Sequence, residues 1–195
     1  MDVGCAAGFF VDEARLAGWE ASGVDVSATM VDWARAQLGI PVICATFAHA
    51  DVSPHLDAIT MWDYIEHSID PRRDLDTARE HLRPGGILML STGDIGAAGA
   101  RLAGRRWHLL TPEHHNFFFD QGTLRRLLEE TGFDVLEARH RASLYSIAHV
   151  LYKLGTSRSP RPIRSAASRL ARSSVGSAGV PLNLHDILTV VARRR

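Results

Sequence analysis

The first residues of the chain combine small and acidic side chains in a pattern suited to nucleotide binding. The run DVGCAAG, residues 2–8, lies at a predicted strand-to-helix junction, and Asp25 ends the next predicted strand. Small residues let the backbone approach a ligand closely, and a carboxylate at that position can accept both ribose hydroxyls. A tight turn and a helix-capping aspartate would explain either feature alone, so we base the nucleotide interpretation on the pair.

The spacing of the glycines distinguishes between the known kinds of nucleotide-binding motif. A dinucleotide fingerprint has the pattern G-x-G-x-x-G, and its last glycine would fall at Phe9. A Walker phosphate loop fails too, because neither Gly-Lys-Ser nor Gly-Lys-Thr follows. An oxidoreductase that uses a dinucleotide is therefore disfavoured.

A second group of residues could bind a metal ion. Asp63, Glu66 and His67 form a D-x-x-E-H group that follows a predicted strand. Three such ligands can surround a divalent ion, and carboxylate oxygens suit Mg²⁺. The alternative is a pair of carboxylates stabilised by a helix dipole near its start. Both interpretations stay open at this point, and the metal is unknown.

These residues must be positioned by elements that alternate along the chain. Short β-branched or apolar runs alternate with helical patterns, which predicts an α/β protein with a parallel sheet covered by helices. Ser27 is a predicted N-cap, and Gly39 stands just past the end of that helix. The predicted strands are 1–3, 20–25, 41–44, 57–62, 87–92, 133–138 and 187–192, and the predicted helices are 9–17, 28–38, 71–82 and 123–130.

Two long connections interrupt this alternation, at residues 93–119 and 139–186. Long connections in compact domains are usually lids or binding loops, so we expect both to lie on the substrate side. The second carries eight basic residues between Arg139 and Arg172 and no acid before Asp186. Ile163, Ala166, Ala167 and Leu170 share one helical face within it, which predicts a weak basic amphipathic helix.

The charge of the chain is unevenly distributed. Residues 1–137 hold 21 acidic and 11 basic residues, a net charge of −10, whereas residues 138–195 hold 11 basic residues and one acid, a net charge of +10. Such a basic region suggests an anionic or lipid-like acceptor, or peripheral contact with an anionic membrane surface. All basic residues of the chain except Lys153 are arginine, a residue that favours phosphate and carboxylate contacts. A GC-rich genome would explain this preference for arginine equally well.

Composition excludes several classes of protein. With 195 residues, 46% hydrophobic and 23% charged, the chain is predicted to fold as one domain, neither disulfide-stapled nor disordered. Cys5 and Cys44 are too few for a disulfide framework or a structural zinc site. No apolar run approaches the roughly 20 residues of a membrane helix, and no signal peptide opens the chain, so we expect a cytoplasmic location.

Several segments together resemble one enzyme family. DVGCAAG followed by GVDVS resembles motif I and the acidic second-strand end of the class I S-adenosylmethionine-dependent methyltransferases. The later strands of the family and its later helix are resembled by LDAITMWDYIEHSIDP, LRPGGILMLST and TLRRLLEETGFDVLEA. PEHHNFFF resembles a His-plus-aromatic connection found in many small-molecule members, including those similar to quinone-biosynthesis O-methyltransferases. The resemblance covers about residues 1–138 and the last strand.

The resemblance implies a doubly wound, Rossmann-like domain of seven strands, the last antiparallel. The chain begins inside the first strand, without the helices that normally precede it, so that strand is expected to be truncated. Two positions depart from the family. Ala6 replaces the middle glycine of the motif, and Thr46 stands where relatives often have an acid.

The resemblance also implies the roles of cofactor-binding residues for S-adenosylmethionine. Asp2 would meet the cofactor's ammonium group, and Asp25 would hold its ribose. Trp62 would lie beside the sulfonium, where an indole ring is favourable, unless it only packs in the core. The methionine portion would contact Gly4, Cys5 and Gly8, and the adenine would contact Val26, Thr46 and Phe47.

Methyl transfer to an oxygen acceptor benefits from a base. His115 matches the histidine of the family's aromatic connection and is the first candidate, followed by His67 and His114. The alternative is that these histidines only pack or form hydrogen bonds. The expected function is methylation of a small molecule at oxygen, without nucleic acid as partner. The rival is a methyltransferase-fold remnant or partner subunit without productive cofactor binding.

Overall fold

The candidate site is formed by residues at the carboxyl ends of the strands, so the order of the strands decides which of these residues lie close together. The computed structural model describes residues 1–141, 143–147, 173, 179–183 and 185–195. It divides into two compact units: Met1–His140 with Asp186–Arg195, and Arg141–His185. The predicted basic amphipathic helix lies outside the described residues.

The first unit contains a seven-stranded sheet in the order β3-β2-β1-β4-β5-β9-β6. Strands β1 to β5 pair in parallel, whereas β9 is antiparallel to both β5 and β6. This arrangement confirms the predicted seven strands with the last one antiparallel. The strands are β1 Asp2–Val3, β2 Gly23–Asp25, β3 Val42–Cys44, β4 Leu56–Trp62, β5 Leu82–Gly93, β6 Phe133–His140 and β9 Ile187–Arg194.

Five α-helices lie in the first unit, and local signals define their ends. Ser27 caps α2 through a hydrogen bond from Met30 N, and Gly39 ends the helix in the left-handed conformation. Asp120 and Thr123 form a capping box at the start of α5. The helices are α1 Phe9–Leu16, α2 Ala28–Leu38, α3 Pro71–His81, α4 Ala98–Ala103 and α5 Gln121–Glu130.

Two clusters of buried side chains lie on opposite faces of the sheet. Successive side chains of a strand point to opposite faces, and Val42 packs in the cluster under α1 and α2 while Ile43 packs against the other cluster. That second, larger cluster includes side chains of α3 and α5. Helices therefore cover both faces, as the doubly wound class requires. No helix within the described ranges is both long and apolar enough to cross a membrane.

Strand β5, helix α4 and a pair of short strands in the second unit differ most from the sequence prediction. Strand β5 begins at Leu82 and not at residue 87, because Leu82 already pairs with Leu56. The register shifts between this pair and the next one, Ala58 with Ile87. Helix α4 lies inside the connection 93–119, where its six residues with one glycine give too short a helical pattern to recognise. In the second unit, β7 Ser143–Ser146 pairs antiparallel with β8 Gly179–Leu182, inside the predicted connection 139–186.

Candidate active site

The carboxyl end of β1 is the topological switch point of the sheet, because β2 and β3 are added on one side of β1 and β4 and β5 on the other. Strand β1 lies between β2 on one side and β4 on the other. In open α/β sheets, ligands bind in the crevice at such a switch point. Asp2, the first residue of the DVGCAAG run, and Asp25, which ends β2, belong to this crevice.

The loop from Gly4 to Gly8 is a tight backbone cradle. Gly4, Ala6 and Gly8 have φ angles of 73°, 46° and 77°, which lie in the left-handed region. A Cβ atom on Gly4 would lie 2.6 Å from Cδ2 of Tyr64, so only glycine fits there. Ala6 adopts its positive φ at a cost of about 1 to 2 kcal/mol relative to glycine. The structure thus maintains the loop's shape despite the alanine.

Asp25 ties this loop to the second strand. Its Oδ2 accepts a hydrogen bond from Ala6 N at 2.8 Å, and its Oδ1 accepts one from Ser27 N at 2.8 Å. A carboxylate has about four lone-pair positions, so two further donors can still be accepted. Asp25 is partly exposed at the crevice, as a ribose contact requires.

Asp2 is a buried carboxylate at the base of the same crevice. Its Oδ1 accepts a hydrogen bond from Thr60 Oγ1 at 2.6 Å. Burial raises the pKa of Asp2 to about 6, although the Thr60 hydrogen bond opposes this shift. Cys5 is buried too, and burial raises the pKa of its thiol to about 12. This thiol is therefore protonated at neutral pH and acts as an apolar side chain.

The residues expected near the adenine lie in different environments. Val26 is 68% exposed beside Asp25. Thr46 Oγ1 is hydrogen-bonded to Nδ1 of His49 at 2.7 Å, inside its own turn. Phe47 is buried in the main core, with its ring centroid 6.1 Å from that of His81. Val26 and Thr46 thus lie at the surface, whereas the Phe47 side chain points into the core.

Trp62 ends β4 next to aromatic side chains that the sequence analysis did not identify. Its ring meets Phe10 edge to face at 5.4 Å, and Phe9 packs against Trp33 at 5.4 Å. Phe9, Phe10 and Trp33 are all exposed. The indole Nε1 of Trp62 is buried without a hydrogen-bond partner among the described residues. The positions of Phe9 and Phe10 at the start of α1 were the available signal in the sequence.

A second group of side chains assembles after β4. Glu66, His67 and His115 offer ligand atoms that all lie within 4.8 Å of one another. Glu66 is only 5% exposed, and its Oε2 has no hydrogen-bond partner within the described residues. Asp63, which the sequence grouped with Glu66 and His67, instead accepts a hydrogen bond from Ser91 Oγ at 2.8 Å. His115 takes its place beside them.

The loop that carries His115 is attached to the turn after β4 by main-chain and side-chain hydrogen bonds. Asn116 N donates to Glu66 O at 2.8 Å, and Asn116 Nδ2 donates to His67 O at 2.9 Å. The carbonyl of His114 lies 2.7 Å from Nδ1 of His67, whereas the His114 side chain is exposed. Asn116 follows the two histidines in PEHHNFFF and was not among the site residues predicted from the sequence.

Burial changes the protonation of this group. Desolvation, followed by the nearby His67, lowers the pKa of His115 below its usual value. Burial also raises the pKa of Glu66. At neutral pH His115 is therefore an uncharged imidazole that can accept a proton.

Comparison with known proteins identifies the family to which this chain belongs. The family model of the methyltransferase domain matches residues 1–138. The chain belongs to the methyltransferase domain family. This methyltransferase domain is 33% identical over 97 residues to the ubiquinone biosynthesis O-methyltransferase of Nitrobacter winogradskyi, a match that covers 47% of this chain and 37% of that relative. The matched part is therefore less than half the length of the relative.

Solved structures support the fold of this methyltransferase domain. An S-adenosylmethionine-dependent methyltransferase from Mesorhizobium loti superimposes with a TM-score of 0.63 at 22% identity, covering 99% of this chain and 89% of that one. The 4+2 cyclase SpnF superimposes with a TM-score of 0.62 at 19% identity, covering 99% and 74%. Family and fold imply S-adenosylmethionine as cofactor, whereas the reaction has to be argued from the site.

Proposed function

We propose that this methyltransferase domain transfers the methyl group of S-adenosylmethionine to an oxygen atom of a small molecule. The observation that carries the proposal is the position of His115, whose ring lies 4.8 Å from that of His67 at the same sheet edge as the crevice after β1. An O-methyltransferase needs a proton acceptor at that edge. The likeness to ubiquinone biosynthesis O-methyltransferases supports oxygen as the acceptor atom.

The crevice fits the cofactor by the chemistry of its donors and acceptors. The left-handed φ angles of Gly4 and Gly8 give the loop its tight turn beside the crevice, and Asp25 keeps acceptor capacity for a ribose. Asp2 is the buried partner for the ammonium group. The remaining contacts are proposed for Cys5 with the methionine portion, for Val26 and Thr46 with the adenine, and for Trp62 with the sulfonium. Because its side chain is buried in the core, Phe47 would meet the adenine through its main chain.

Little side-chain chemistry is required for the reaction. S-adenosylmethionine supplies a methyl group that is already activated for in-line displacement. Orientation by the crevice can contribute roughly 7 to 11 kcal/mol to lowering the barrier. As the new carbon–oxygen bond forms and the carbon–sulfur bond breaks, His115 takes the acceptor's hydroxyl proton on an imidazole nitrogen. His67, 4.8 Å away between ring centroids, holds the His115 ring in place.

A metal ion is a second way to activate the acceptor. The unpartnered Oε2 of buried Glu66 favours it, because a buried carboxylate oxygen without a donor is costly unless a cation binds there. Glu66, His67 and His115 would supply one oxygen and two nitrogen ligands. This donor set suits Zn²⁺ or Mn²⁺ better than the Mg²⁺ favoured by a carboxylate-rich set. A bound divalent ion would lower the pKa of the acceptor hydroxyl.

The connections at residues 93–119 and 139–186 are proposed to shape the acceptor site. The first carries His115 and the aromatic residues that follow it. The second carries the eight basic residues, which favour an anionic or lipid-like acceptor or an anionic membrane surface. Most of this second connection lies outside the described residues, so its proposal rests on charge alone.

Calorimetric titration with S-adenosylmethionine and S-adenosylhomocysteine tests the proposal. We expect both to bind the wild-type chain and to bind an Asp25→Ala variant more weakly. A matched Asp32→Ala variant removes an exposed carboxylate on α2 and should bind as the wild type does. A wild-type chain that binds neither compound would favour the rival interpretation, a fold remnant or partner subunit.

A further inference from the structure

Asp186 is the single acidic residue among residues 138–195, and the proposed function does not use it. It is 5% exposed and directly precedes β9. Its Oδ2 accepts a hydrogen bond from Nε1 of Trp107 at 2.9 Å, a buried contact between residues 79 positions apart. His108 Nδ1 lies 3.5 Å from the same oxygen. A buried carboxylate with such partners is a specific connection rather than a solvated charge.

Trp107 belongs to a small core of its own within the connection 93–119. Buried Trp107 packs with Ala97 and Ala100, and the partly buried side chains of Leu109, Leu110 and Phe118 pack against them. The ring of Phe118 lies 5.7 Å from the ring of His115. One aromatic side chain thus separates the small core from the proposed base.

The start of this connection is held against the same residue. Asp94 N donates to the main-chain oxygen of Asp186 at 2.8 Å. Asp94 is itself 4% exposed, and its Oδ2 lies 2.8 Å from Nε2 of His140. Ile95 N donates to Phe119 O at 2.9 Å, which closes the two ends of the connection on each other. Because both ends of the connection 93–119 are fixed in this way, the orientation of the residues between them depends on the contacts of Trp107.

We infer that Asp186 is a positioning residue, which orients the connection 93–119 through Trp107 and so fixes His115 beside His67. The inference rests on the proposed function, in which His115 takes the acceptor's proton. The physical reason is that the indole N–H and the carboxylate are both buried, so separating them would leave two unpaired polar groups. Other positions of the Trp107 ring are therefore disfavoured, and the small core stays where Phe118 contacts His115.

Three variants separate this role from simple packing. Asp186→Leu removes the acceptor and keeps a similar side-chain volume. Trp107→Phe removes the donor and keeps an aromatic ring. Asp186→Asn is the conservative control, because an amide oxygen still accepts the indole N–H. All three are made in the full chain.

The measurement is the contact between the His115 and His67 rings, followed by NMR at one fixed pH as a cross-peak between their ring protons. Each ring signal is assigned by its loss in His115→Gln or His67→Gln. We expect Asp186→Leu and Trp107→Phe to weaken or abolish this cross-peak, because the small core no longer holds Phe118 against the His115 ring. Asp186→Asn should leave the cross-peak unchanged.

Two results would overturn the inference. One is an unchanged cross-peak in both Asp186→Leu and Trp107→Phe, even where the melting temperature falls, because the bond would then serve stability alone. The other is an equal loss of the cross-peak in Asp186→Asn. If Asp186→Leu does not fold, Trp107→Phe decides. The measurement needs no acceptor and no turnover, so its outcome is independent of whether His115 proves to be the base.

Discussion

The imidazole rings of His67 and His115 meet edge to face, with centroids 4.8 Å apart and planes at 77°. His67 belongs to the turn after β4, and His115 belongs to the connection between β5 and α5. Asn116 N donates to Glu66 O at 2.8 Å, so the His115 loop is hydrogen-bonded directly to that turn.

Replacing His115 by alanine should lower turnover and spare cofactor affinity. Loss of a positioned base typically reduces the rate about 100-fold to 10,000-fold. Because desolvation lowers the pKa of His115, the wild-type rate should rise through one ionisation centred below the usual value of about 6.5. The measurement is a pH profile of kcat, with S-adenosylhomocysteine affinity measured by calorimetry alongside it.

His114→Ala is the matched control for this experiment, because the exposed His114 side chain is removed while its carbonyl can still face His67. It should keep the wild-type rate. Full turnover in His115→Ala would reduce His115 to a packing residue.

Metal assistance predicts a different response from the same cluster. If Glu66, His67 and His115 bind a divalent ion, a chelator should abolish activity, and Zn²⁺ or Mn²⁺ should restore it. Glu66→Gln should then weaken metal binding in a direct titration of the chain with Mn²⁺, since the amide carries no charge. Activity that persists unchanged in chelator would exclude the ion as the activating group and leave His115 as the base.

Substitution of Asp25 by alanine should weaken cofactor binding through the lost ribose contacts. Each hydrogen bond to a charged group contributes about 1.5 to 3 kcal/mol. The variant also removes the acceptors for Ala6 N and Ser27 N, so Asp25→Asn, which keeps one acceptor oxygen, serves as the intermediate case. Calorimetry should give the order wild type, Asp25→Asn, Asp25→Ala in decreasing affinity. Equal affinities for all three would remove the ribose assignment.

The buried Asp2 carboxylate should make cofactor binding depend on pH. Burial raises the pKa of Asp2 to about 6, so below that pH the carboxyl is protonated in the free chain and must lose its proton to pair with an ammonium group. Affinity for S-adenosylhomocysteine should therefore rise as pH increases from 5 to about 7, by up to about tenfold per pH unit below the midpoint.

The Asp2→Asn variant provides the control for this pH dependence. It keeps an acceptor for Thr60 Oγ1 and cannot ionise, so its affinity should be lower and nearly independent of pH over the same range. A pH response that survives in Asp2→Asn would assign the titration to another group.

The basic stretch between Arg139 and Arg172 should give salt-dependent binding to anionic surfaces. Its charges are screened over about 10 Å at 0.1 M salt, so binding to anionic lipid vesicles should be strong at low salt and lost at high salt. Flotation with anionic and with zwitterionic vesicles measures this directly. Absence of binding to anionic vesicles at low salt would argue against a membrane contact for the stretch.

Much of the fold follows from signals that act over a few residues. Ser27 and Gly39 mark the two ends of α2 because a capping hydroxyl and a left-handed glycine satisfy the backbone locally. The proximity of the Gly4–Gly8 loop to the carboxylate of Asp25 is likewise predictable from the sequence. Both follow adjacent parallel strands, so any sheet of this order brings them together. The seven-stranded arrangement required family resemblance in addition to this local pattern.

Only the tertiary structure decided how the second half of the site is assembled. Asp63 is directed to Ser91, and His115 joins Glu66 and His67 instead. Trp107 reaches Asp186 across 79 positions. Contacts of this kind depend on how long connections close and pack, and neither periodicity nor capping encodes that. The sequence by itself determined the seven strands of the first unit, four of its five helices and the crevice after β1, because those follow from short-range backbone and burial preferences. Side chains on separate connections meet only where the packed chain brings them together.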